Sequence, residues 1–138
     1  MHVFSGAAGL EDFLQATRIL VCLLPLTAET RGIIDRRAMG LLRPDAYIIN
    51  VARGAHVVES DLIEALREGR LAGAALDVFE REPLEASHRL WDHPKIAVTP
   101  HISAATLRDE AVDQIARKVL AMERGEPITG VVELRRGY

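Results

Sequence analysis

The sequence predicts an α/β fold built on a parallel sheet, and two observations carry that prediction. Four short runs, residues 19–24, 47–51, 74–78 and 96–99, are apolar at nearly every position rather than at alternate ones, the pattern of strands covered on both faces. The segments between the first three runs have a helical period, so strand and helix alternate as in crossover units.

Taken in order, Leu10, Phe13 and Leu14 predict a helix before the first strand. Asp35 then caps a short helix carrying Met39 and Leu42 and ended by Pro44. Ser60 is the expected cap of a helix carrying Ile63 and Leu66 and stopped by Gly69. Residues 79–95 join the last two strands through two prolines and no helical period, a long connection of the kind that is usually functional. In the last helix Thr106 and Asp109 resemble a capping box, Val112, Ile115, Ala116 and Val119 share a face, and Gly125 ends it. That helix is long enough to bridge two lobes.

The bulk properties narrow the function. A chain of 138 residues with 49% hydrophobic content supports one core. The net charge of −3 is scattered, with no basic stripe to follow a phosphate backbone, so no nucleic-acid partner is expected. No apolar stretch approaches the roughly 18 to 20 residues of a membrane span, and none resembles a targeting segment. No membrane partner is expected. Cys22, the one cysteine, permits no internal disulfide and suits a reducing, cytoplasmic setting.

In doubly wound sheets ligands bind beyond the carboxyl ends of the strands, and the residues there are polar. Arg53 follows the second run, and its guanidinium suits bidentate capture of a carboxylate, although a plain surface arginine fits the position as well. Gly54 beside it permits close approach of a ligand to the backbone. His101, held by Pro100 at the end of the fourth run, pairs on paper with Glu82 of the long loop, an arrangement that can hold and deliver a proton. Asp77 ends an apolar strand and needs donors, from the backbone or from a ligand amide. His56, His88 and His93 lack metal-ligand spacing and read as solvated or locally hydrogen-bonded, so no metal site is expected. Ser5, Ser60, Ser87 and Ser103 lack the elbow of a nucleophilic serine.

Assembled, these motifs resemble the D-isomer-specific 2-hydroxyacid dehydrogenases, most closely their glyoxylate/hydroxypyruvate reductase A branch. The matching stretches are LLPLTAETRG at 23–32, INVARG at 49–54, LDVFEREP at 76–83, TPH at 99–101, GEPITG at 125–130 and the ending Arg136, Gly137 and Tyr138. Several motifs in order are far more specific than any one. After His101 many relatives have His-x-Gly, whereas this chain has His101-Ile102-Ser103-Ala104, as in the named branch.

The resemblance implies the carboxyl-terminal half of a Rossmann-type doubly wound sheet. It implies catalytic roles for Arg53 on the substrate carboxylate, His101 as proton donor and Glu82 as partner of His101. Pro25, Val51, Ala52, Arg53, Asp77, His101, Ser103 and Ala104 would line the cofactor, with NADP more expected than NAD. The substrate would be a small 2-oxo acid and the intact protein a homodimer. Without the resemblance, the same arginine and histidine would also suit a lyase or isomerase.

The glycine-rich G-x-G-x-x-G turn that cradles a dinucleotide pyrophosphate is not found. Residues 1–126 therefore read as the later part of an NAD(P)-binding domain and 127–138 as a tail, with the substrate domain absent. The expectation is a piece of a reductase, inactive alone and with an exposed sheet edge. The alternatives are a nicotinamide-nucleotide-sensing module of the corepressor type and a non-catalytic remnant.

Overall fold

The computed structural model describes residues 2–134. The branch-specific ending at Arg136, Gly137 and Tyr138 lies outside the described residues. Two compact units are present, residues 1–103 and 104–138.

The first unit runs α1 (Gly6–Ala16), β1 (Ile19–Cys22), α2 (Arg36–Leu41), β2 (Tyr47–Asn50), a 3₁₀ turn (Gly54–His56), α3 (Glu59–Arg67), β3 (Gly73–Leu76) and β4 (Ile96–Val98). All strands are parallel and pair in sequence order β1-β2-β3-β4. The expected alternation of strand and helix is thus present, and residues 79–95 contain no helix.

The register explains the core. Leu20, Ile48, Ala74 and Ile96 form one row across the sheet, and Cys22, Asn50, Leu76 and Val98 the next. Both rows face the three helices, which contribute Leu14, Met39, Leu62 and Leu66 to the same buried cluster. The alternate residues point the other way: Ile19 is 59% and Val21 47% exposed. The expectation of strands covered on both faces is therefore corrected. The first unit supplies helices to one face only, so the apolar residues of the second face stay open and β1 alternates between exposed and buried.

Two expected caps are also corrected. Asp35 does cap α2, its carboxylate accepting from the Ala38 amide at 2.8 Å. Ser60, however, lies inside α3, whose cap position is Val58. A parallel bridge between Ile34 and Val57 and the Val58 amide bond to the Ile34 carbonyl bring this backbone in extended, so pairing rather than a hydroxyl sets the helix start. Gly69 takes φ +73° after α3, the left-handed conformation a helix stop requires.

In the second unit α4 (Arg108–Glu123) begins after Leu107 with no side-chain cap, which places Thr106 outside it. Asp109 and Glu110 in its first turn complement the helix dipole instead. Gly125 ends it at φ +69° with its amide on the Met122 carbonyl. Val112, Ile115 and Val119 are all exposed.

The core assignment has a measurable consequence. Leu62 is fully buried, and Leu62→Ala is expected to lower stability by about 2–5 kcal/mol in urea unfolding. Val21→Thr on the open face is expected to change it by less than about 1 kcal/mol.

Candidate active site

Parallel strands in register end on one side, so the loops after β1, β2, β3 and β4 share a rim. Pro25 follows β1, Val51 and Ala52 follow β2 and lead to Arg53, Asp77 follows β3, and His101 and Ser103 follow β4. Ala104 is the first residue of the second unit.

The turn at Arg53 is built around a buried polar residue. Asn50, fully buried at the end of β2, accepts the Ala52 amide at 3.2 Å and donates to the Arg53 carbonyl at 2.9 Å. Arg53 has extended backbone, with φ −142°, and an exposed side chain whose Nη1 donates to the Ala52 carbonyl at 2.7 Å. Gly54 is required here by the packing of the chain itself. A Cβ at this position would stand 1.9 Å from the Phe79 carbonyl carbon and 2.4 Å from the Glu80 nitrogen. The protein's own backbone makes a close approach here, and it brings the arginine turn against the loop that carries Glu82.

Glu82 and His101 meet as expected. Oε2 of Glu82 lies 2.8 Å from Nδ1 of His101, while Oε1 accepts the Phe79 amide at 2.9 Å. The hydrogen bond from His101, then that from Phe79, holds the Glu82 carboxyl below its usual range, and the nearby positive charge of Arg53 adds to the effect. A fixed carboxylate on Nδ1 leaves Nε2 of His101 as the nitrogen free to face a reactant. The Glu82-Pro83 peptide bond is cis.

His101 owes its place to Asp77. The Asp77 backbone carbonyl accepts the His101 amide at 2.9 Å. The Asp77 side chain, buried at 2% exposure, gathers four donors: Thr99 Oγ1 at 2.5 Å and the Ile102 amide at 2.9 Å on Oδ1, the Ser103 amide at 2.9 Å and Ser103 Oγ at 2.6 Å on Oδ2. Of the two sources expected for these donors, the protein supplies all four, from hydroxyls as well as backbone. The chain folds around the carboxylate, and His101 between Thr99 and Ile102 takes φ +55°, a conformation non-glycine residues seldom adopt. Burial pushes the Asp77 carboxyl up, but the bonds from Ser103, Thr99 and the Ile102 and Ser103 amides outweigh it and hold the group well below the ordinary carboxylate range.

A cavity of about 220 Å³ adjoins the pair, lined by Phe79, Glu82, Pro83, Leu84, Trp91, Pro100 and His101. Leu84 and Trp91 were not foreseen there, since nothing in a loop without periodicity marks which apolar side chains turn inward. Asn50 and Thr99 were also missed; a polar residue ending an apolar run was the available signal. His56, expected to be solvated or locally hydrogen-bonded, is fully buried and pairs locally, its Nδ1 lying 3.0 Å from the Arg53 carbonyl oxygen. Among the described residues no cluster of His, Cys, Asp or Glu can hold a metal ion, and no helix is long and apolar enough to cross a membrane.

The model of the D-isomer specific 2-hydroxyacid dehydrogenase NAD-binding domain matches residues 2–103. The chain belongs to this family. It is 52% identical over 135 residues to glyoxylate/hydroxypyruvate reductase A of Klebsiella pneumoniae strain 342, covering 98% of this chain and 43% of that protein. The corresponding reductase of Citrobacter koseri is 53% identical with the same coverage. The chain thus spans less than half the length of these curated relatives. Among solved structures it is similar to a D-isomer specific 2-hydroxyacid dehydrogenase of Xanthobacter autotrophicus Py2 in complex with NADPH and MES, with TM-score 0.94, 44% identity and coverage of 98% of this chain and 56% of that one. An NADPH-dependent glyoxylate/hydroxypyruvate reductase of Sinorhizobium meliloti, in complex with NADP and sulfate, gives TM-score 0.93 at 41% identity, covering 97% and 44%. As a dehydrogenase domain of this family, the first unit is a Rossmann-type NAD-binding fold with its parallel sheet and flanking helices.

The Asp77 clasp makes stability depend on pH in a definite direction. A carboxyl whose folded pKa is depressed contributes stability above its unfolded value, about 3.9, and loses it as pH falls toward the folded value. Asp77→Asn is therefore expected to be less stable than the native chain at pH 7, the gap narrowing below about pH 4. Urea midpoints measured between pH 3 and 7 test this; a gap that stays constant would contradict it.

Proposed function

We propose that this chain carries the carboxylate-binding and proton-donating groups of an NADPH-dependent reductase acting on a small 2-oxo acid, glyoxylate or hydroxypyruvate. The observation that carries the reading is the 2.8 Å contact between His101 Nδ1 and Glu82 on the rim that also bears Arg53.

Arg53 grips the substrate carboxylate through its forked guanidinium and polarises the adjacent 2-oxo group. Glu82, kept ionised, holds Nδ1–H of His101 so that Nε2 faces the carbonyl oxygen and delivers a proton to it as C2 gains hydride. Glu82 thus acts through His101, as the orienting acid of a histidine does elsewhere. NADPH, when bound, supplies that hydride. NADPH is preferred over NADH because the similar Xanthobacter and Sinorhizobium structures are described with NADPH and NADP.

Pro25, Val51, Ala52, Asp77 and Ser103 would hold the nicotinamide end. Both oxygens of Asp77 already accept two donors each, so a carboxamide donor would take the place of a hydroxyl, of Ser103 or of Thr99, whose rotation frees one lone pair. The pyrophosphate cradle is not among the residues of this chain, and the 138-residue chain alone is expected to reduce no glyoxylate, as followed by NADPH absorbance. In the complete enzyme His101→Ala is expected to lower kcat by about 10²- to 10⁴-fold. A near-normal rate would remove His101 from its role.

A further inference from the structure

We infer that His56 is a positioning residue for Arg53: its buried imidazole fastens the main chain of the arginine turn. The inference rests on the reductase reading for what Arg53 grips, while the fastening itself stands on geometry.

His56 has no exposed surface, and a buried imidazole without partners is costly. Its Nδ1 lies 3.0 Å from the Arg53 carbonyl oxygen, and its Nε2 lies 3.3 Å from the carbonyl oxygen of Pro25, 31 residues earlier. Both neighbours are acceptors. A neutral ring carries one N–H; placed on Nδ1, the nitrogen nearer its carbonyl partner, it donates to Arg53. Nε2 then abuts the Pro25 carbonyl, which already accepts the Thr30 hydroxyl at 2.7 Å.

The Arg53 carbonyl is in consequence surrounded by donors: Asn50 Nδ2 at 2.9 Å, the His56 amide at 3.2 Å and the His56 ring. Fixing this peptide plane fixes the direction in which the arginine side chain leaves the backbone. The rest of the turn is anchored through its main chain, with the Gly32 amide on the Ala55 carbonyl at 2.8 Å and the Ile34 amide on the His56 carbonyl at 2.9 Å. From that seam the His56 ring reaches both the Arg53 and the Pro25 carbonyl oxygens. Arg53 is the rim residue assigned to the substrate carboxylate, so the ring positions that subsite from within the fold.

Two substitutions separate positioning from packing. His56→Phe keeps a ring of similar size and removes the donor; His56→Asn returns an N–H near the place of Nδ1. In the ¹⁵N-labelled full chain, two-bond nitrogen–proton correlations are expected to show His56 locked as the Nδ1–H tautomer, with a ring proton shielded from solvent exchange. The Nε2–H tautomer, or rapid averaging between the two, would overturn the fastening. In the complete enzyme His56→Phe is expected to raise KM for glyoxylate by about tenfold, the worth of one hydrogen bond, while kcat and KM for NADPH change by less than about threefold. His56→Asn is expected to recover most of the loss. A fall in kcat with KM unchanged, or no rescue by Asn, would reduce His56 to a packing residue. The spectroscopic result does not depend on turnover, so a native enzyme that fails to reduce glyoxylate would sink the reductase reading without being mistaken for failure of the fastening.

Discussion

Asp77 is the residue around which the site closes. Its carboxylate lies at the end of β3, where an ion without partners would be untenable, and the solution the chain adopts is to wrap four donors from the segment after β4 around it. That wrapping turns the backbone through His101 at φ +55° and delivers the imidazole to Glu82. A histidine–carboxylate pair drawn from two loops is thus located by a third residue, itself saturated with hydrogen bonds. Since both oxygens of Asp77 are filled by the chain itself, the clasp is complete as it stands, and the proposed contact with a cofactor amide would be an exchange of donors.

The arginine side of the rim follows a related rule with neutral groups. Asn50 and His56, both fully buried, spend their hydrogen bonds on the main chain between residues 50 and 56. Gly54 lets the Phe79-Glu80 peptide lie directly against this turn. Arg53 and Glu82 are therefore brought together by backbone contact, and their charges by the fold rather than by a direct ion pair. Such over-determined loops suit a site whose charged groups must stand in fixed positions before substrate binds.

The sheet and its helices were legible because burial of whole strands and the 3.6-residue period leave marks on consecutive residues. The Arg53, Glu82 and His101 motifs were legible for the same reason, each occupying a short contiguous stretch at a strand end. What escaped notice depended on distant partners. Ser60 and Thr106 have the chemistry of caps, yet pairing of Val57 and the start of α4 after Leu107 place both elsewhere. Continuous apolar strands suggested two covered faces, whereas helix placement leaves Ile19 and Val21 open.

By itself the sequence determined the parallel α/β architecture, the order of its elements and the chemical types gathered at the strand ends, since these follow from periodicity and local spacing. Tertiary structure alone decided that Asp77 is satisfied by Thr99, Ile102 and Ser103, that Gly54 makes room for the Phe79 backbone, and that His56 is buried between two carbonyls. Those outcomes depend on which loops pack together across intervals of about 20 to 30 residues, and no local pattern encodes the partner of a lone polar group.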